Sequence, residues 1–184
     1  IMDFIDLKAQ QKLIRNKIDE RISNVLNHGQ YIQGPEIKDL ENKLSIFSKS
    51  KYVLCCSSGT DALLLGLIAL GLKPGDAVIV PSFTFASTAE AVCMLGGVPF
   101  FSDVKLNTFN ICEKSISKCI QKAKKMGVLI KGIITVGLFG QPSDMHKIKE
   151  VADANNLWVF DDAAQSFGAV YNSKISGNLC EIQR

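Results

Sequence analysis

No two cysteines in this chain are spaced C-x-x-C, and its two histidines, His28 and His146, stand apart from any cluster of ligating neighbours. Neither a zinc-type site nor a redox dithiol is therefore written in the sequence. There is no G-x-x-x-x-G-K-[ST] and no G-x-G-x-x-G, which excludes a P-loop and the dinucleotide fingerprint. The longest apolar run, residues 62–72, is too short to cross a bilayer. The N-terminus is polar from the start, unlike a signal peptide, and the isoleucine ahead of Met2 suggests an irregular or partial start. A net charge of +3 argues for neither nucleic acid nor membrane as a partner. With no disulfide framework in view, a reducing, cytoplasmic setting is the simplest expectation. Cys55, Cys56 and Cys93 fall in apolar segments and read as small core residues.

What is present is a chain of 184 residues, 47% hydrophobic, which suits one globular domain. Ile14, Ile18, Ile22 and Leu26 recur every fourth position before Gly29, which marks one face of a helix and its stop. A second helix starts near Glu36, with Ile37, Leu40, Leu44 and Phe47 on one side. Strands and helices then alternate. Apolar runs over 52–56, 77–80, 98–102, 133–136 and 157–160 read as buried strands. Helices are expected over 61–72 (apolar, covered on most sides), 87–95, the lysine-rich stretch 114–131, and after Ser143-Asp144. In the lysine-rich stretch Ile116, Ile120 and Ala123 lie at helical spacing, so its charge reads as a solvated face. The alternation predicts an α/β fold with a mostly parallel sheet flanked by helices.

In such folds ligands bind beyond the carboxyl ends of strands, and three strand ends carry candidate chemistry. Ser57-Ser58-Gly59-Thr60 opens a helix, where free N–H groups favour an anion; an ordinary helix cap is the other reading. Pro81-Ser82-Phe83-Thr84-Phe85 offers an aromatic that can stack on a flat ring or simply pack in the core. Asp161-Asp162-Ala163-Ala164-Gln165 ends an apolar strand with two carboxylates. One is expected to face solvent or cap the next segment, the other to meet a cation.

Taken in order, these segments resemble one family, the DegT/StrS-type sugar aminotransferases, which use pyridoxal phosphate (PLP) on the fold-type I scaffold. The resemblance runs through Phe4-Ile5-Asp6-Leu7, Gly29-Gln30-Tyr31-Ile32-Gln33-Gly34-Pro35-Glu36, Ser58-Gly59-Thr60-Asp61-Ala62-Leu63, Gly75-Asp76, Pro81-Ser82-Phe83-Thr84-Phe85, Leu138-Phe139-Gly140-Gln141-Pro142 and Asp162-Ala163-Ala164-Gln165. It implies that Gly59 and Thr60 hold the cofactor phosphate and that Phe85 stacks on the pyridine ring. It also implies that Asp162 binds the ring nitrogen, Gln165 the ring hydroxyl, and that Ala164 lies beneath the ring. The implied substrates are a nucleotide-linked keto sugar and an amino donor such as glutamate, as in cell-surface polysaccharide or amino-sugar biosynthesis; the implied assembly is a homodimer.

Gly137 and Phe167 stand where the family commonly has histidine, and the match fades from Cys180-Glu181 through Ile182-Gln183-Arg184. Lys174 comes too early to be the Schiff-base lysine, which the resemblance places beyond Arg184. Residues 1–184 are thus expected to be part of the large domain, without its C-terminal part and the small domain. The expected character is a truncated, catalytically incompetent remnant. The alternatives are a non-catalytic module binding PLP or a nucleotide, and a remnant of a sugar dehydratase of the same family. Strand 52–56 is expected to lose its neighbours, to pair with strand 157–160 or stand unsupported, and to displace the Gly59 turn.

Overall fold

The computed structural model describes residues 5–180. Phe4 of the opening motif and residues 181–184, where the family match fades, lie outside them. Two compact units divide the chain between Lys43 and Leu44.

The first unit holds α1 (Leu7–His28) and most of α2 (Pro35–Ser48). Asp6 starts α1 by accepting a 2.9 Å hydrogen bond from the Ala9 N–H. Gly29 ends it in the left-handed conformation (φ 67°), its N–H returning to Val25 O. The predicted face exists but has no cover within this unit: no residue of α1 is buried, and Ile14, Ile22 and Leu26 are exposed. His28 Nε2 lies 3.0 Å from Glu36 Oε1.

The second unit is built on a four-stranded sheet in the order β2-β1-β3-β4. Its strands are β1 (Ala77–Pro81), β2 (Val98–Ser102), β3 (Ile130–Val136) and β4 (Trp158–Asp162). All three pairings are parallel. Side chains alternate along a strand, and β1 shows the result. Ala77 and Ile79 enter one core with Ile116, Ile120, Ile133 and Ile148. Val78 and Val80 enter the other with Leu63, Leu67, Val92 and Ile134. Helices α5 (Glu113–Lys125) and α6 (Met145–Asp153) supply the first core, and α3 (Gly59–Ala69) and α4 (Ser87–Met94) the second. The lysine-rich helix buries Ile116, Ile120 and Ala123 as its spacing predicts. A short antiparallel hairpin, β5 (Val170–Tyr171) with β6 (Lys174–Ile175), follows the sheet. Among the described residues no helix is long and apolar enough to cross a membrane.

Three expectations are corrected. Residues 52–56 form no strand, and Tyr52 and Leu54 are exposed. A strand needs a neighbour to share its ladder; none of the four sheet strands pairs with this segment, β4 included. Helix α3 is not covered on most sides. It buries only Leu63 and Leu67, leaving Leu65 and Ile68 exposed, because one face alone meets the sheet. Nor are Cys56 and Cys93 core residues. Both are exposed, Cys56 in the unladdered segment and Cys93 on the outward side of α4, whose Thr88, Ala91 and Val92 turn inward.

Candidate functional site

Because the strands run parallel, β1, β3 and β4 deliver their following loops to one edge of the sheet. Strand β4 carries Asp161 and Asp162 to that edge as its last two residues. Alternation points them to opposite sides, and their environments differ accordingly. Asp162 Oδ1 accepts a 3.0 Å hydrogen bond from the Ala164 N–H and so caps the turn that follows. The Asp162 carbonyl accepts from Gly137 N–H at 3.1 Å, which ties the ends of β3 and β4 together.

Asp161 forms no ion pair among the described residues, contrary to the sequence reading, although the charge of Lys149 acts on it. Its Oδ1 accepts a 2.7 Å hydrogen bond from the Thr135 hydroxyl, while Oδ2 is enclosed without a hydrogen-bond partner. Burial raises its pKa above the ordinary carboxylate range, against the Thr135 bond and the Lys149 charge and with the Asp162 charge adding to the rise. Burial first, and the Asp161 charge second, also push the Cys180 thiol up to about 12. Such a thiol is protonated at neutral pH and unsuited to nucleophilic work.

Gln165 lies in the turn after β4. Its Oε1 accepts a 2.9 Å hydrogen bond from the Phe139 N–H, so its amide NH₂ remains the group able to donate. The 138–142 loop that supplies Phe139 is held in turn by buried Asn110. Asn110 Oδ1 accepts from Leu138 N–H at 3.1 Å, and its Nδ2 donates to Gln141 O at 2.9 Å and Pro142 O at 3.2 Å. Nothing in the sequence pattern singles out Asn110, since its partners are some thirty positions away.

Helix α3 starts at Gly59 with Ser58 as its cap, the Ser58 hydroxyl accepting from Asp61 N–H at 3.1 Å. Ser58 and Ser57 both donate to Asp61 Oδ2, and these two bonds hold the Asp61 carboxyl below its ordinary range. The cap reading of this turn is thus realised. It leaves room for the anion reading as well, because the N–H groups of Gly59 and Thr60 open the helix without intrahelical acceptors. A Cβ at Gly59 would meet nothing within 4 Å. Phe85, in the loop after β1, is 73% exposed, so it is not core and its ring is free to stack. Ala164 is exposed as well.

These features can be tested against PLP. A phosphate needs several donors and no side chain in the way, as at Gly59-Thr60; a ring nitrogen that must stay protonated needs a carboxylate, as at Asp162. A phenolic oxygen needs a donor, and the engagement of Gln165 Oε1 turns that amide into one. The residue types and their free groups fit the cofactor. The structure ties Gln165 directly to the 138–142 loop and Asp162 to Ala164, whereas Gly59, Thr60 and Phe85 are bonded to neither. Lys174 is exposed in the β5–β6 hairpin. A Cβ at Gly137 would overlap Ser166 Oγ, so the histidine common at this position in the family has no room here.

The DegT/DnrJ/EryC1/StrS aminotransferase family model matches residues 12–183. A UDP-2-acetamido-2-deoxy-3-oxo-D-glucuronate aminotransferase from Pseudomonas aeruginosa is 44% identical over 182 residues, 99% of this chain and 49% of the relative. A dTDP-3-amino-3,6-dideoxy-alpha-D-galactopyranose transaminase from Aneurinibacillus thermoaerophilus is 35% identical, over 97% of this chain and 48% of its own length. Among solved structures, a DegT DnrJ EryC1 StrS aminotransferase from Brucella abortus is similar with a TM-score of 0.93 and 40% identity, over 96% of this chain and 48% of that one. NtdA from Bacillus subtilis, with bound cofactor PMP, is similar with a TM-score of 0.77 and 38% identity, over 83% of this chain and 34% of that one. The chain spans about half the length of the curated relatives it matches. On the matching model and these identities together, the chain belongs to the DegT/DnrJ/EryC1/StrS aminotransferase family.

Proposed function

We propose that this chain is the cofactor-holding part of the large domain of a PLP-dependent aminotransferase acting on nucleotide-linked keto sugars, with an amino acid as donor. The observation that carries the reading is the arrangement at the end of β4. Asp162 and Gln165 lie three residues apart, and the Phe139 N–H occupies Gln165 Oε1 at 2.9 Å, leaving the amide to donate toward the ring oxygen. When bound, PLP supplies the electron sink for cleavage at the amino carbon. Asp162 would keep a proton on the ring nitrogen, since an adjacent anion favours the charged form of a base. Gly59 and Thr60 would bind the phosphate at the start of α3. Phe85 would stack on one ring face, and the methyl group of Ala164 would let the ring lie flat on the other.

The experiment uses the single tryptophan of the chain. Trp158 begins β4, four residues before Asp162, about 13 Å along the strand and within energy-transfer range of a bound pyridine ring. Pyridoxamine phosphate, which has no aldehyde to label surface lysines, is expected to quench Trp158 saturably. Asp162→Ala removes a charge-assisted hydrogen bond of about 1.5–3 kcal/mol, so binding should weaken about ten- to hundredfold. Quenching that never saturates, or that Asp162→Ala leaves unchanged, refutes the proposal.

A further inference from the structure

Two serine hydroxyls are shut away from water next to the candidate site. Ser166, the residue after Gln165, and Ser176 are both buried, and their Oγ atoms lie 2.7 Å apart. Neither takes part in the chemistry assigned above. A buried hydroxyl is costly without a partner, but two methyl groups of the same shape would fill this space at almost no net loss. The pair therefore adds little to stability. What a hydrogen bond adds over methyl contact is direction, since its geometry fixes the rotamers of both side chains.

Ser166 stands where that direction matters. A Cβ at Gly137 would overlap Ser166 Oγ, so the hydroxyl lies directly against the backbone just ahead of the loop that supplies Phe139. The same loop runs beside the Gln165 turn at two more points. The Phe139 N–H donates to Gln165 Oε1 at 2.9 Å, and a Cβ at Gly140 would lie 3.8 Å from Gln165 O. On its other side Ser166 meets Ser176, whose backbone is held at both polar groups. The Ser176 N–H donates to Ala169 O at 2.7 Å, and its carbonyl accepts from Gly168 N–H at 3.3 Å. Two residues on, Asn178 Nδ2 donates to Lys49 O at 2.9 Å and Ser48 O at 3.2 Å. The hydroxyl pair thus ties a well-anchored segment to the spacing between the Gln165 turn and the Phe139 loop.

We propose that Ser166 and Ser176 are positioning residues for Gln165. Their hydrogen bond holds Ser166 against Gly137 and so keeps the Gln165 turn at the distance from the 138–142 loop at which the Phe139 N–H can occupy Oε1. This rests on the function proposed above, in which the Gln165 amide donates to the ring hydroxyl of the cofactor. A glutamine side chain is long and rotamer-rich, and its carboxamide can present either nitrogen or oxygen. Turned over, it would set Oε1 against an ionised ring oxygen and repel it. The Phe139 N–H decides which end is presented, and a hydrogen bond tolerates only a few tenths of an ångström in the separation of the two backbones. Ser166 supplies that separation, and Ser176 keeps Ser166 in place.

The test is a double-mutant cycle between Ser176 and Gln165. It is read by Trp158 quenching with pyridoxamine phosphate and by the absorption of the bound ligand as pH is raised. That absorption changes when the ring hydroxyl ionises, and a donor to the ionised oxygen lowers the pH at which it does so. Ser176→Ala should weaken binding about three- to tenfold, the worth of one ordinary hydrogen bond, and move the ionisation to higher pH. Gln165→Leu should move both in the same direction. In the Gln165→Leu background, Ser176→Ala should leave both unchanged, because the group it positions is gone. Ser166→Ala combined with Ser176→Ala leaves no hydroxyl orphaned, so it should melt higher than Ser176→Ala alone and yet bind no better. Parental binding in that combined variant, or equal effects of Ser176→Ala with and without Gln165, assigns the serines to stability alone and overturns the inference. So does binding by Ser176→Ala within about twofold of the parent. Failure of pyridoxamine phosphate to bind the parent chain would instead strike the proposed function itself.

Discussion

Replacing Asn110 with alanine removes one side chain and strands three backbone groups. The Leu138 N–H is buried, and a buried donor without an acceptor costs about 1–3 kcal/mol. The carbonyls of Gln141 and Pro142 are only partly buried and can turn to water, so each bond contributes about 0.5–1 kcal/mol. Asn110→Ala should therefore cost about 2–5 kcal/mol, a large share of the roughly 5–15 kcal/mol that holds a domain folded. In urea, with a slope of about 2 kcal/mol per molar, the midpoint should fall by about 1–2.5 M at unchanged slope. Asn110→Asp sharpens the test. It keeps an acceptor for the Leu138 N–H but sets a carboxylate against two carbonyl oxygens, so at neutral pH it should be no milder than alanine. Amide exchange at Leu138 should accelerate in the alanine variant before global unfolding does. A midpoint shift worth less than about 0.5 kcal/mol, the size of an ordinary surface change, would refute the claim that Asn110 holds the two loops.

Other outcomes follow from single contacts. A Cβ at Gly132 would overlap the Trp158 ring, so Gly132→Ala should cost about 1–3 kcal/mol by overpacking and shift the emission of the one tryptophan; an unchanged spectrum and midpoint would contradict the packing. The raised pKa of Asp161 means that the folded chain binds this proton more tightly than the unfolded chain does. Its favourable contribution is complete below the unfolded value of about 3.9 and is lost as pH rises through the higher folded value. Asp161→Asn should thus melt higher than the parent at pH 7, with the gap closing below about pH 4; a variant that melts lower at pH 7 would show the ionised carboxylate to be in use.

The sequence was most informative where an element carries its own periodic signal. Ile116, Ile120 and Ala123 announced the inner face of α5, and the apolar runs of β1 and β2 needed no further context. Segment 52–56 shows where that stops. Its composition suits a strand as well as that of β1 does, but a ladder belongs to two segments, and the partner is not encoded within those five residues. Asp162 and Gln165 were legible as candidates because polar groups ending an apolar strand are conspicuous. The orientation of Gln165 was not, since it depends on a backbone N–H 26 positions away. The left-handed backbone at Phe109 (φ 59°) and Phe139 (φ 55°) had no signal of its own; it depends on the distant bonds of Asn110 and on the Phe109 N–H held by Lys105 O.

Gly137 and Ser166 carry a consequence for how this chain can change. The space a side chain at 137 would need is filled by the Ser166 hydroxymethyl group, and Ser166 Oγ is hydrogen-bonded at 2.7 Å to Ser176 Oγ just after the β5–β6 hairpin. Substitutions at the three positions are therefore expected to be energetically coupled. A larger residue at 137 is tolerated only after 166 has shrunk to glycine or moved, and that first step leaves the buried Ser176 hydroxyl without its partner. The order of substitutions matters, and sequences with a bulky 137 are separated from this one by an intermediate less stable than either end.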